Sequence, residues 1–173
     1  MRTEFEPILR IVDLMAAERA ELSMSGPQFL ILHRFWQPET LCTPGEEITE
    51  IRLLHRTKEV SLPASRRLML LFDYLARHKH APQCAAQIAT GLTADPFTRQ
   101  HGNYAGASTS LNKGVSRTAV KQQVMRLRAG LGWAFRKAGL SLNPRRVILS
   151  ENTLTNEVRY RLKASVSWQH LEL

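Results

Sequence analysis

The chain has 173 residues, 43% of them apolar, with 24 Lys+Arg against 15 Asp+Glu and a formal net charge of +9. That length suits one domain of ordinary size, or a small domain with an appendage, and the apolar share excludes a disordered basic tail. No apolar run reaches the ~18 residues of a membrane span, Glu4, Glu6, Asp13 and Glu18 argue against a secretory signal, and the only cysteines, Cys42 and Cys84, form neither a zinc spacing nor a disulfide framework, so a reducing cytoplasm is the expected compartment.

Residues 4–22 carry Phe5, Ile8, Leu9, Val12, Met15 and Ala16 at the spacing of one helical face. Ile11 and Leu14 widen that stripe, which suits either a homodimer contact or packing across the sheet of the same domain. Ser25-Gly26-Pro27 breaks the chain, and residues 28–36 are short and rich in strand formers. Two further strands are predicted over 47–56 and 59–62, with a turn near Thr57-Lys58. Ser61-Leu62-Pro63 then opens a helix with Pro63 in its first turn, where the missing N–H costs nothing. Its inward residues are Leu68, Leu71, Phe72 and Leu75, and it ends before the 78–82 stretch. A shorter helix is predicted over 83–92, with Ala85, Ile88, Ala89 and Leu92 inward.

Residues 95–115 lose all apolar period and are predicted as a loop. Ser116 suits an N-cap. Val120, Val124, Leu127, Leu131, Phe135 and Ala138 follow it as the cleanest helical pattern in the chain. Gly130 and Gly132 weaken that helix and predict a kink or a break, and Gly139 suits its end. Strands are predicted over 145–150 and 157–163, joined by the turn-rich stretch 151–156. In the second strand Val158, Tyr160 and Leu162 alternate with Arg159, Arg161 and Lys163, a packed face against a charged one.

The charge is unevenly divided. Residues 1–60 hold 7 basic and 10 acidic side chains, a balance of −3, whereas residues 61–173 hold 17 and 5, a balance of +12. Lys113 to Lys163 alone holds 12 basic residues against Glu151 and Glu157, or +10. This asymmetry points to a polyanionic partner. The order helix, helix, loop, basic helix, basic hairpin then gives the charge a geometry. A helix-turn-helix lays its second helix in the major groove, and here that helix starts at Ser116. With Val120, Val124 and Leu127 inward, Ala119, Gln122, Gln123 and Arg126 are expected outward, flanked by Arg117, Lys121 and Arg128. Gln pairs bidentately with adenine and Arg with guanine, while flanking Arg, Lys and hydroxyl groups hold phosphates. The hairpin adds Asn152, Thr155, Asn156 and Arg159, and the approach to it adds Arg145 and Arg146.

The stretch 47–162 resembles the OmpR/PhoB-type winged-helix effector domain of bacterial transcriptional regulators. The resemblance is carried by PASRRLMLLFDYLARH (63–78), by SRTAVKQQVMRLRAGL (116–131) with its Arg117-Thr118 and Arg126-Leu127-Arg128, and by Val158-Arg159-Tyr160-Arg161-Leu162 in place of a closing GYRL-like signature. It implies an α+β winged helix-turn-helix with an N-terminal helix and small antiparallel sheet, a three-helix core and a C-terminal β-hairpin wing. The expected division is an appendage at 1–46 for dimer or partner contact and a DNA-binding domain at 47–173. The implied function is sequence-specific binding of double-stranded DNA in transcription regulation, with residues 116–131 in the major groove, Thr118 among the contacts, and RNA polymerase or another regulator as a protein partner. Departures are the long 95–115 loop, Arg159 where the signature has glycine, and the lengthened link at 132–144. The residues before the match are too few for a receiver domain, so an effector domain without one is expected.

Other classes have less behind them. No P-loop, GxSxG or HExxH is present, and no catalytic residue, cofactor, metal or membrane contact is expected. His78, His80 and Cys84 stand at a helix end among lysine and proline and are expected as surface residues. Single-stranded RNA binding lacks an aromatic platform, because Tyr104, Trp133, Tyr160 and Trp168 are dispersed. The alternative is a protein–protein adaptor that uses the same fold for docking.

Overall fold

The computed structural model describes residues 26–36, 45–94 and 114–171. The helix expected at 4–22 and nearly all of the 95–115 loop lie outside these residues. Within them the chain is mixed α+β, with four helices and two small sheets.

The first sheet has the order β3 (Lys58–Ser61), β2 (Gly45–His55), β1 (Gln28–Trp36), β7 (Ser165–Leu171). Strand β1 (Gln28–Trp36) runs antiparallel to β2 (Gly45–His55), which runs antiparallel to β3 (Lys58–Ser61). Phe29 and Ile31 of β1 and Ile51 and Leu53 of β2 share the inner face and are buried. The β2–β3 turn falls at Arg56-Thr57, one residue before its expected place, with Arg56 at φ 54°. Pro63 does not open a helix. The Leu62 N–H instead donates to Ile51 O at 2.8 Å, which prolongs the sheet, and Leu62 is buried. Helix α1 (Arg66–Arg77) starts three residues later, after Ser65.

The fourth strand, β7 (Ser165–Leu171), was not expected. It lies parallel to β1, from Gln28↔Ser165 to Arg34↔Leu171, so the sheet is mixed and not purely antiparallel. Its sequence carries no clean alternation because only one of its edges is paired within the described residues and most of its side chains stay exposed. Besides its ladder with β1, a side-chain clasp ties it to α1. Trp168 Nε1 donates to Asp73 Oδ1 and Arg77 Nε to Asp73 Oδ2, each at 2.8 Å. The buried His33 places Nε2 3.5 Å from Asp73 Oδ1, and its ring lies 5.7 Å from that of His170. Burial pushes the Asp73 carboxyl up, but the hydrogen bonds from His33, Trp168 and Arg77 outweigh it and hold the group below its ordinary value.

Strand β4 (Gln83–Cys84) pairs with β6 (Val158–Leu162), so helix α2 (Ala85–Ala94) begins two residues later than expected, with Ala85, Ile88, Ala89 and Leu92 inward as its period predicts. Helix α3 (Arg117–Lys137) is capped by Ser116 Oγ, which accepts from Ala119 N at 3.1 Å. It runs unbroken through Gly130 and Gly132. A β-carbon there would stand 3.2 Å from Pro63 O and 3.3 Å from Pro144 Cγ, so both glycines serve close packing and not a break. Beyond Lys137 the Leu140 N–H donates to Phe135 O and the Gly139 N–H to Arg136 O, a Schellman end with Gly139 at φ 69°. Lys58 Nζ donates to Ala138 O at 2.9 Å, which sets a cation at the negative end of the helix.

Arg145 and Arg146 are not in a strand. Asn143 Oδ1 accepts from Arg145 N, Pro144 follows at the first helical position, and the pair sits in a single turn, α4 (Pro144–Val147). Strand β5 (Ile148–Asn152) then pairs with β6 (Val158–Leu162), giving the second sheet, β4-β6-β5. Phe29 meets Phe72 edge-on at 4.9 Å between ring centres, in one core with Leu71, Ile88, Leu127, Leu131 and Phe135 of the three long helices. The expected 46/47 division falls inside β2, and both sides of it contribute to that core.

Candidate nucleic-acid interface

Helix α3 contains Arg117, Lys121, Arg126, Arg128, Arg136 and Lys137 and no acidic residue. Its buried stripe is Val120, Gln123, Val124, Leu127 and Leu131. Opposite it Arg117, Thr118, Lys121, Gln122 and Arg126 are all exposed. Arg117 stands in the first turn, where the helix dipole is positive and a cation destabilises the helix. Helix stability therefore gives no reason for its charge.

Two residues depart from the expected arrangement. Gln123 is only 6% exposed and points into the protein, so it is no part of the outer face. The reason is angular: position 123 lies one turn before Leu127 and one turn after Val120, inside the buried stripe. Arg128 turns toward the hairpin. Its Nη2 donates to Ile148 O at 2.7 Å and to Ser150 Oγ at 2.6 Å, its Nε donates to Ile148 O at 3.2 Å, and its guanidinium lies 6.0 Å from the centre of the Tyr160 ring. Partial burial lowers the Arg128 pKa, with the nearby Arg145 adding to this and Tyr160 opposing it. Burial likewise raises the Tyr160 hydroxyl. Arg128 is thus a strut that fixes β5 against α3.

On α4 and the hairpin Arg145, Arg146, Asn152, Thr155 and Asn156 are exposed. Arg159 is half-buried, with Nη2 3.4 Å from Glu157 Oε2, and Arg161 Nη2 lies 2.9 Å from Glu151 Oε1. These exposed pairs are worth little in water and leave the charge of the hairpin nearly balanced, so the excess is concentrated on α3 and α4. Sequence reasoning passed over two further residues. Met125 is 70% exposed on the outer face of α3, and its place on the 118-122-125 stripe was the available signal. Leu154, at the hairpin tip, is 106% exposed, fully in solvent, and an apolar residue among Asn and Thr was the only hint.

Among the described residues no group of three His, Cys, Asp or Glu side chains is placed to hold a metal ion. His78 and His80 are exposed as expected, the His78 ring stacked on Tyr74 at 4.1 Å, but Cys84, expected at the surface, is buried because its pairing with Arg159 of β6 draws it into the fold. Among the same residues no helix is long and apolar enough to cross a membrane. In comparisons with known proteins, no family model, no curated protein and no solved structure matches the chain.

Proposed function

We propose that this protein binds double-stranded DNA sequence-specifically as a transcriptional regulator, with a winged-helix arrangement of the kind the sequence resembles. Helix α3 enters the major groove and the β5–β6 hairpin acts as the wing. One observation carries this: the outer face of α3 bears Arg117, Thr118, Lys121, Gln122 and Arg126, all exposed, in a 21-residue helix without a single acid. Gln122 and Arg126 have base-reading chemistry, whereas Arg117, Lys121, Arg145 and Arg146 suit phosphates. A helix shaped for stability alone would not put arginine at its N-terminus.

The test is binding of the full chain to duplexes selected from a random pool. Arg126→Ala and Gln122→Ala are expected to weaken the selected duplex more than a random one. Removal of Arg145 and Arg146 is expected to weaken both alike and to reduce the salt slope by about one for each phosphate left without its cation. Absence of duplex binding even at ~50 mM salt refutes the proposal.

A further inference from the structure

The tip of the β5–β6 hairpin presents one apolar side chain on a braced turn. Thr153 N donates to Glu157 O at 3.0 Å and Asn156 N to Thr153 O at 2.9 Å. Thr153 Oγ1 accepts from Glu157 N at 3.1 Å and meets Thr155 Oγ1 at 2.9 Å, and Asn156 takes φ 56° to close the turn. The three bonds that engage backbone groups brace the chain around Leu154, yet the Leu154 side chain is 106% exposed, wholly in solvent. A single exposed leucine is common on a protein surface. A leucine held away from the protein by a braced turn, with hydrogen-bonding Asn152, Thr155 and Asn156 on either side and Arg145 and Arg146 at the foot of the hairpin, has the make-up of a minor-groove wedge. Such wedges are apolar, partly unstack one base step and kink the duplex, while polar neighbours meet the base-edge acceptors and cations meet the backbone.

We propose that Leu154 enters the minor groove beside the segment read by α3, partly unstacks a base step there and bends the DNA. This rests on the duplex-binding reading above and adds to it a site of deformation. An apolar side chain that passes from full exposure to burial between bases gains by the area removed from water. The step that opens most cheaply is a pyrimidine–purine step, so TA or CA/TG is expected at that position of the bound sequence.

The experiment uses the full chain and a duplex selected by it, carrying 2-aminopurine at successive positions outside the α3 segment and a donor–acceptor pair at the ends. The expected result is a fluorescence rise at one step and a shortened end-to-end distance. Both disappear in Leu154→Ala, with about tenfold weaker binding, and both are retained in Leu154→Met. Because the Leu154 side chain stands wholly in solvent, Leu154→Ala is expected to unfold at the temperature of the parent, which separates removal of the wedge from damage to the fold. Duplex binding with no change at any 2-aminopurine, or with a change that survives Leu154→Ala, overturns the wedge and leaves the duplex reading standing. Absence of duplex binding overturns both.

Discussion

Replacing Arg128 by methionine keeps most of the aliphatic stem and removes three hydrogen bonds, two to Ile148 O and one to Ser150 Oγ. Bonds to a charged group contribute about 1.5–3 kcal/mol each when isolated. Here they share one guanidinium that is partly in solvent, so they do not add, and the same range holds for the whole set. For a chain of this size each kcal/mol moves the unfolding midpoint by about 2–4 °C. Arg128→Met is therefore expected to lower the midpoint by roughly 3–12 °C, measured by thermal unfolding followed by circular dichroism. Arg128→Lys, whose single ammonium reaches fewer acceptors, is expected to lose about half as much. The control is Arg126→Met two positions away, exposed on the outer face, which is expected to stay within about 0.5 kcal/mol. If Arg128→Met is as stable as the parent while its duplex binding loses salt dependence, then Arg128 is a phosphate contact and not the strut between α3 and β5.

Three further outcomes follow from packing and charge. A β-carbon on Gly91 would stand 2.2 Å from Tyr74 Cε2, so Gly91→Ala is expected to destabilise by about 1–2 kcal/mol in urea unfolding despite better helix propensity; in a Tyr74→Ala background the same change is expected to stabilise by about 0.5–1 kcal/mol. Asp73 is held below its ordinary value when folded, so its contribution is complete above the unfolded value of ~3.9 and is lost as pH falls through the lower folded one. Asp73→Asn is expected to cost about 1–3 kcal/mol near pH 7 and to flatten the decline in stability below about pH 4; Glu50, which hydrogen bonds from Arg52 and Ser61 also hold low, contributes in the same direction. Lys58→Met removes the cation at the C-terminus of α3 and is expected to cost about 0.5–1 kcal/mol, with less effect at high salt.

The helices were legible wherever one face alone is buried. Leu71, Phe72 and Leu75, then Ile88 and Leu92, then Val120, Val124, Leu127 and Leu131 follow the helical period because each helix packs one side against a common core. Boundaries were less legible where a strand competed for the same residues. The ladder bond from Leu62 to Ile51, which prolongs the β2–β3 hairpin, and the pairing of Gln83 and Cys84 with the distant β6 each delay a helix. The outer face of α3 was legible for Gln122 and Arg126 and wrong for Gln123, since position 123 stands one turn from both Val120 and Leu127 and so falls at the edge of the buried stripe.

The opening imbalance of charge, the helical periods, the Ser116 cap and the turn residues at 151–156 are properties of neighbouring residues, and the sequence alone determined them. Tertiary structure decided what depends on groups far apart in the chain: β7 laid parallel to β1 and clasped through Trp168 and Asp73, two glycines kept for the approach of Pro63 and Pro144, and Arg128 turned from the outer face into the hairpin. Local propensity carries no information about which distant backbone carbonyl a guanidinium will meet. Only the packed fold, by bringing Ile148 and Ser150 beneath α3, divided the basic residues of that helix into one that braces it and others that remain exposed.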